Sequence, residues 1–416
     1  MNKEQIYPKL RQLDVIPTEI SGQKVFALRD PLNLSGKILF FPYQAFFIIS
    51  LFDGQHSITD VQVEFMRRFG ELIYREKIYE LIEQLEQHYL LESERFWNAQ
   101  NRIMADFKKA ALRPMALIGE AYADDREEVK NMVNSFFHPP AGPGLPQVSF
   151  PSKNLIGVIA PHIDYRRGGH CYAFAHKAIL ESEAADLYII LGIAHAATQN
   201  PYVLTRKDFE TPWGVVETDR SFISELEAKL AFDPYEDEFA HKTEHSIELQ
   251  LIFLKSLWPH QSSFKIVPIL CGSFHEAVLE GKSPQEMESI KNFLDSLKTV
   301  ISAPGSRKIC LLASADLAHL GLRFGDAEEP NRFSLQTLQE DDLHLLKFVE
   351  QVDAEGFYQV IRQERDRRRI CGLPAIYTLL YLLQNRTRQG NLLKYSQAFD
   401  AATKSVVTFA SAAFYS

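Results

Sequence analysis

Leu155-Ile156-Gly157-Val158-Ile159-Ala160 is an unbroken apolar run that stops at Pro161-His162. Apolar residues in succession, rather than alternating with polar ones, read as a strand covered on both faces. Leu187-Tyr188-Ile189-Ile190-Leu191 has the same character and gives way to Gly192-Ile193-Ala194-His195. A third run, Ile309-Cys310-Leu311-Leu312-Ala313, gives way to Ser314-Ala315-Asp316 and then His319. Strands buried on both faces belong to α/β folds with helices on either side, and such sheets bind ligands outside the carboxyl ends of their strands. Three strands delivering His, His and Asp with His to one edge are expected to build a single site.

Outward from these runs, helical stretches are expected over 171–180, 219–230, 244–258, 284–300, 341–350 and 373–383. Further strands over 264–270, 391–398 and 405–414 would complete a βα series. The segment 138–152 carries Pro139, Pro140, Pro143, Pro146 and Pro151 and cannot be regular structure. The first part of the chain has its own pattern. Strand-like runs at 15–20 and 24–28 flank Ser21-Gly22, a hairpin turn signal. An apolar segment at 45–52 stops at Asp53-Gly54. Ser57 with Asp60 forms a capping box opening a helix over 58–69, closed by Gly70. The next helix places Ile78, Leu81, Ile82, Leu85 and Tyr89 on one face. The expected architecture is a small winged-helix-like domain over 1–95, a linker helix over 96–112, and an α/β domain over 113–416 with a central sheet flanked by helices.

A chain of 416 residues exceeds one ordinary core, in keeping with two domains. An apolar share of 46% and a charged share of 24% are those of a globular protein. The net charge of −9 argues against a broad nucleic-acid surface, and the helix over 58–69 offers only Arg67 and Arg68 as a basic pair. No apolar run approaches the roughly 18 residues of a membrane span, and Met1 to Gln5 lacks an apolar signal core. Four cysteines make no disulfide scaffold, so a reducing cytoplasm is the expected compartment.

The candidate site residues are His162, His195, His245, Glu248, Asp316, His319 and Cys371. Imidazole and thiolate suit iron, copper or zinc. Each residue also has a plainer reading. His162 and His195 could be hydrogen-bonded structural histidines, and Cys371, opening an apolar helix, could be core. A helix N-terminus instead lowers a thiol's pKa. Arg365, Arg367, Arg368 and Arg369 would push the same way, unless they form a solvated face. His245 and Glu248 sit one helical turn apart, as a buried pair or as acid and base. Cys171, Cys271 and Cys310 lie among apolar neighbours and read as packing.

Six blocks occur in the order of the Memo family: Ala160-Pro161-His162 with Tyr165; Leu191-Gly192 with His195; Thr211-Pro212-Trp213-Gly214; Glu244-His245-Ser246-Ile247-Glu248; Ser314-Ala315-Asp316 with His319; and Cys371-Gly372. From Arg113 onward the chain therefore resembles that family, which shares the fold of the LigB-like class III extradiol dioxygenases. The family belongs to the AmmeMemoRadiSam set, which also includes a radical-SAM protein. The first domain resembles the PqqD-like peptide-recognition fold, through Ala27-Leu28-Arg29-Asp30-Pro31, Leu51-Phe52-Asp53-Gly54 and the stretch from Ile78 to Leu91.

The resemblance implies that His162, His195 and Cys371 hold one metal ion, Fe(II) first, with copper or zinc as alternatives. Cys371 would replace the carboxylate of the dioxygenases' two-His-one-carboxylate set. His245 with Glu248, and Asp316 with His319, would line the same cleft as catalytic residues, His319 or His245 acting as base and Asp316 orienting it. The sequence departs from the family pattern at Ile163-Asp164, Ile193-Ala194 and Ala121, which alters the pocket's shape. The implied function is redox or dioxygenase-like chemistry on a small-molecule or peptide ligand. The alternatives are a non-catalytic peptide-binding or metal-chaperone protein working with a radical-SAM partner, and hydrolysis at zinc. Neither nucleic acid nor membrane is an expected partner.

Overall fold

A computed structural model describes residues 6–30, 34–147, 154–257, 264–303 and 307–416. Met1 to Gln5, Pro31, Pro151 and Trp258, which entered the sequence reading, lie outside these residues. The chain divides into two units, Met1–Lys109 and Ala110–Ser416.

In the first unit, β1 (Asp14–Ile20) and β2 (Gln23–Arg29) pair antiparallel from Asp14↔Arg29 to Ile20↔Gln23. Ser21 at φ 52° and Gly22 at φ 78° make the turn, both left-handed as a two-residue hairpin loop requires. A third strand, β3 (Leu39–Pro42), adds to β2; its four residues are too few to announce themselves in the sequence. Helices α1 (Tyr43–Ser50), α2 (Ile58–Phe69) and α3 (Arg75–Gln87) follow. Both halves of the Ser57/Asp60 capping box form, and Gly70 closes α2 at φ 72°. Leu28, Phe41, Ile49, Val61, Ile78 and Leu85 meet in the core. Tyr89, expected on α3, lies beyond its end at φ 58°. Of the stretch expected as a linker, residues 96–109 belong to α4 (Glu94–Lys109) within this unit, and residues 110–112 belong to the second.

The second unit runs β4 (Leu112–Arg113), α5 (Arg126–Ser135), β5 (Leu155–Ala160), α6 (Tyr165–Leu180), β6 (Leu187–Ile193), β7 (Tyr202–Leu204), β8 (Asp208–Thr211) and β9 (Gly214–Val216). Then come α7 (Arg220–Glu227), α8 (His245–Leu257), β10 (Lys265–Cys271), α9 (His275–Glu280), α10 (Glu288–Ile301), β11 (Ile309–Ser314) and β12 (Asp316–Gly321). The chain closes with α11 (Arg332–Glu350), α12 (Ala354–Gln363), α13 (Leu373–Leu383), β13 (Gly390–Asp400) and β14 (Ser405–Tyr415). The main sheet has the order β12-β14-β5-β11-β6-β10-β7, with β13 on β14. Its centre, β5-β11-β6-β10, is parallel, as the continuous apolar runs predict. One face packs Ile156, Ile189 and Leu311 against α13; the other packs Val158, Ile190 and Leu312 against α6 and α8.

Two expectations about the sheet are corrected. The last two strands do not continue a βα series: β13 and β14 form an antiparallel hairpin, and β14 runs antiparallel to β5. Asp316 and His319, read as the polar end of the third run, belong to a separate strand, β12, antiparallel to β14. Helix α6 starts six residues before its expected position, capped by Asp164. Its start is masked by Gly168-Gly169, present because of close approach: a Cβ on Gly169 would lie 2.5 Å from the Phe136 ring.

Beneath the site, the fully buried His176 places Nε2 3.0 Å from Gln250 Oε1. Burial holds His176 down to about 4 and the buried His241 to about 3. In the unfolded chain a histidine takes its proton near 6.5. Between 6.5 and 4 the unfolded state therefore binds more protons, so this stabilisation is complete above about pH 6.5 and lost as pH falls toward 4. For His176 alone the difference is roughly 3 kcal/mol. Thermal unfolding should show the second unit's transition dropping between pH 7 and pH 5, with a shallower drop in His176→Gln. A midpoint flat across this range would contradict it.

Candidate metal centre

The parallel centre of the sheet brings three chain-distant segments side by side. Because β11 inserts between β5 and β6, the carboxyl ends of these strands are neighbours. They deliver His162, Asp316 and His195 to one edge. Cys371 arrives from the opposite layer, at the turn that opens α13. That turn is drawn onto β12: the Gly372 amide donates to the Asp316 carbonyl at 3.1 Å, and Cys371 Sγ lies 3.8 Å from the same oxygen. Gly372 cannot carry a side chain there, since a Cβ would lie 2.3 Å from that carbonyl.

Ligand atoms of His162, His195 and Cys371 all lie within 4.8 Å of one another. His162 Nδ1 is 2.9 Å from the Ser314 carbonyl, so it donates its proton there and turns Nε2 inward. Nε2 lies 3.4 Å from Cys371 Sγ. His195 Nδ1 lies 3.0 Å from Glu244 Oε2, leaving its own Nε2 free. Both rings are thus anchored through one nitrogen by an oxygen behind them, the arrangement that metal-binding histidines adopt. Two nitrogens and one sulfur form a donor set that suits iron, copper or zinc.

Burial, then the neighbouring His195, holds His162 down to about 4, so near neutral pH it carries the lone pair that ligation needs. For His195, burial acts against the charged ring, but the Glu244 carboxylate outweighs it and raises the pKa. The Cys371 thiol is not activated as the helix terminus and arginine run suggest. Burial, and secondly the Asp316 carboxylate, raise it well above its ordinary value. The arginines are engaged elsewhere. Arg368 is buried against Asp342 at 2.5 Å and Glu364 at 2.7 Å, and Arg369 pairs with Asp326 at 2.6 Å. They hold the loop before Cys371, in which Arg365, Asp366 and Arg369 are all left-handed.

The remaining candidates separate. Asp316 is buried beside the trio: Oδ1 accepts the His162 amide at 3.0 Å, and Oδ2 lies 3.7 Å from His162 Nε2. His245 stacks on His195 at 4.6 Å between ring centroids and meets His162 edge-on at 5.3 Å. His319 is tethered through Nδ1 to the Leu317 and Arg369 carbonyls, and its ring packs on Phe324. Glu248 is not brought to the site. It is buried in an ion pair with Arg113 and accepts the Ala116 and Leu117 amides and the Tyr122 hydroxyl. The carboxylate that serves the histidines is Glu244, which sequence reading passed over.

The other unforeseen contributors are Ser246, Gln250 and Ser314. Ser246 Oγ accepts the Ile193 amide at 3.0 Å, and Gln250 Nε2 donates to the Pro161 carbonyl and Ser314 Oγ, both at 2.7 Å. These bonds tie α8 to the ends of β5, β6 and β11. Their signal was present: α8 is buried from Ser246 to Leu254, and a polar residue in such a helix must have a partner.

Residues 113–413 match the family model described as Memo-like protein. A MEMO1 family protein of Aquifex aeolicus is 30% identical over 409 residues, covering 98% of this chain and 100% of its own. MEMO1 family proteins of Ignicoccus hospitalis and Methanopyrus kandleri are 31% and 28% identical, covering 73% and 70% of this chain and 98% and 93% of their own. With a site assembled in one unit and relatives matched across nearly their whole length, the chain belongs to the Memo family.

Proposed function

We propose that the second unit holds one redox-active metal ion, iron or copper, on His162, His195 and Cys371, and uses it in dioxygenase-like redox chemistry. The observation that carries this reading is the convergence of those three donors from positions 162, 195 and 371, with each histidine's Nδ1 tied to an oxygen behind it. When bound, such an ion supplies one-electron chemistry and open positions for a small ligand. The chain's own residues orient and exchange protons. His245 presents an imidazole beside the centre, and Asp316 fixes the His162 backbone. Metal content and oxygen consumption of anaerobically prepared full-length protein test this. About one equivalent of iron or copper, with oxygen uptake on exposure to a reducing ligand, is expected. Retained zinc with indifference to oxygen would replace the reading with hydrolysis, and tight Cu(I) without oxygen uptake would replace it with metal carriage.

A second role, peptide or partner docking by the first unit, is favoured by the exposed Phe40 and Tyr43, at 50% and 42%, on and just after the edge strand β3. The resemblance to PqqD-like domains suggests a peptide, and the AmmeMemoRadiSam resemblance a radical-SAM protein.

A further inference from the structure

Glu244 stands immediately before α8 with its side chain only 6% exposed, and it accepts from three backbone amides. Oε2 takes the His195 amide at 3.1 Å; Oε1 takes the His245 amide at 2.9 Å and the Ser246 amide at 3.0 Å. A backbone N–H can only donate, so both oxygens must be acceptors. The same two oxygens face His195 Nδ1 at 3.1 and 3.0 Å in hydrogen bonds, whereas His245 Nδ1, 3.1 Å from Oε1, makes an ion-pair contact without one. A ring nitrogen set against an acceptor held in place by three amides must itself bear the proton. The neutral His195 imidazole is therefore held with Nδ1 protonated and the lone pair at Nε2.

Resting on the metal reading above, we infer that Glu244 is a positioning residue that sets the tautomer of His195 and turns its Nε2 lone pair to the metal. His195, Glu244 and His245 also bring ligand atoms within 4.8 Å of one another. That group needs no ion of its own, because the His195 Nδ1–Glu244 contact within it is already a donor facing an acceptor.

Two measurements on the full-length chain test this. In metal-free protein labelled with 15N-histidine, at a pH where the ring is neutral, long-range proton–nitrogen correlation should show His195 protonated at Nδ1; a neutral His195 ring protonated at Nε2 would overturn the inference. In Glu244→Gln, the amide can offer only one acceptor oxygen, and its NH2 turned toward a ring forces the tautomer that cannot ligate. Affinity for Co(II) should fall about 10- to 100-fold, with a changed sulfur-to-cobalt charge-transfer band and an unchanged circular dichroism spectrum. Glu244→Asp, which keeps the acceptor, should recover part of the loss. Unaltered affinity and spectrum in Glu244→Gln would overturn the inference while leaving the metal reading intact. Two cobalt ions per wild-type chain, one of them lost in Glu244→Gln, would also overturn it by making Glu244 a ligand. Wild-type protein that takes up no metal would sink the metal reading, whereas the tautomer is read without it.

Discussion

Cys371→Ala and His195→Ala are each expected to weaken metal binding by well over about a hundredfold, since outer partners of metal ligands alone account for 10- to 100-fold. The two side chains reach the centre from opposite sides. Cys371 comes from the turn before α13, and His195 from beyond the end of β6. Asp316 and His319 belong to neither group of converging ligand atoms among the described residues. Both variants should fold. Cys371 and His195 are partly open to solvent, and truncating them leaves the buried layers of the sheet untouched. Cys171→Ala is the control: its Sγ lies 3.0 Å from Ser411 Oγ, in a separate cluster with Val407 and Phe409. It should bind metal like the parent protein. Equilibrium competition against a chelator would measure all three, and equal affinities would withdraw the ligand assignment.

Arg113→Met should destabilise the second unit by about 3–5 kcal/mol, the usual cost of leaving one half of a buried ion pair alone. Arg113 and Glu248 are buried together, and the guanidinium also donates to the His241 carbonyl at 2.9 Å and the Glu244 carbonyl at 2.7 Å. Its loss strands a carboxylate that still faces two amides and the Tyr122 hydroxyl. The melting temperature should fall by roughly 10 °C for a unit of this size. Arg113→Met with Glu248→Leu should regain part of it, because removing both charges spares the unpaired one. A fall of under about 2 °C in the single variant would contradict a structural role for the pair and return Glu248 to the list of catalytic candidates.

The fold was legible where one physical rule dominated. The runs at 155–160, 187–191 and 309–313 are unbroken because parallel strands are covered on both faces, and α13 was legible because a buried helix is apolar all round. Legibility failed where two rules gave the same pattern. β14 is buried along nearly its whole length, so it reads like a parallel strand although it closes an antiparallel hairpin. α5 and α12 passed unnoticed, being short and bounded by no strong apolar run. At the site, Glu244-His245-Ser246-Ile247-Glu248 holds two carboxylates four residues apart. Spacing could not say which one faced the histidines; that depended on Arg113, which lies 135 residues from Glu248 in the chain. The thiol's environment was misread for a related reason. An arginine run looks like free positive charge until its partners, Asp342, Glu364 and Asp326, are known.

The identity of the atoms around the ion decides the metal assignment. X-ray absorption at the zinc edge of zinc-loaded, full-length protein would read it. Two nitrogen donors at about 2.0–2.1 Å and one sulfur at about 2.3 Å are expected, the sulfur vanishing in Cys371→Ala. A first shell of oxygen and nitrogen alone in the parent protein, unchanged by that substitution, would contradict it.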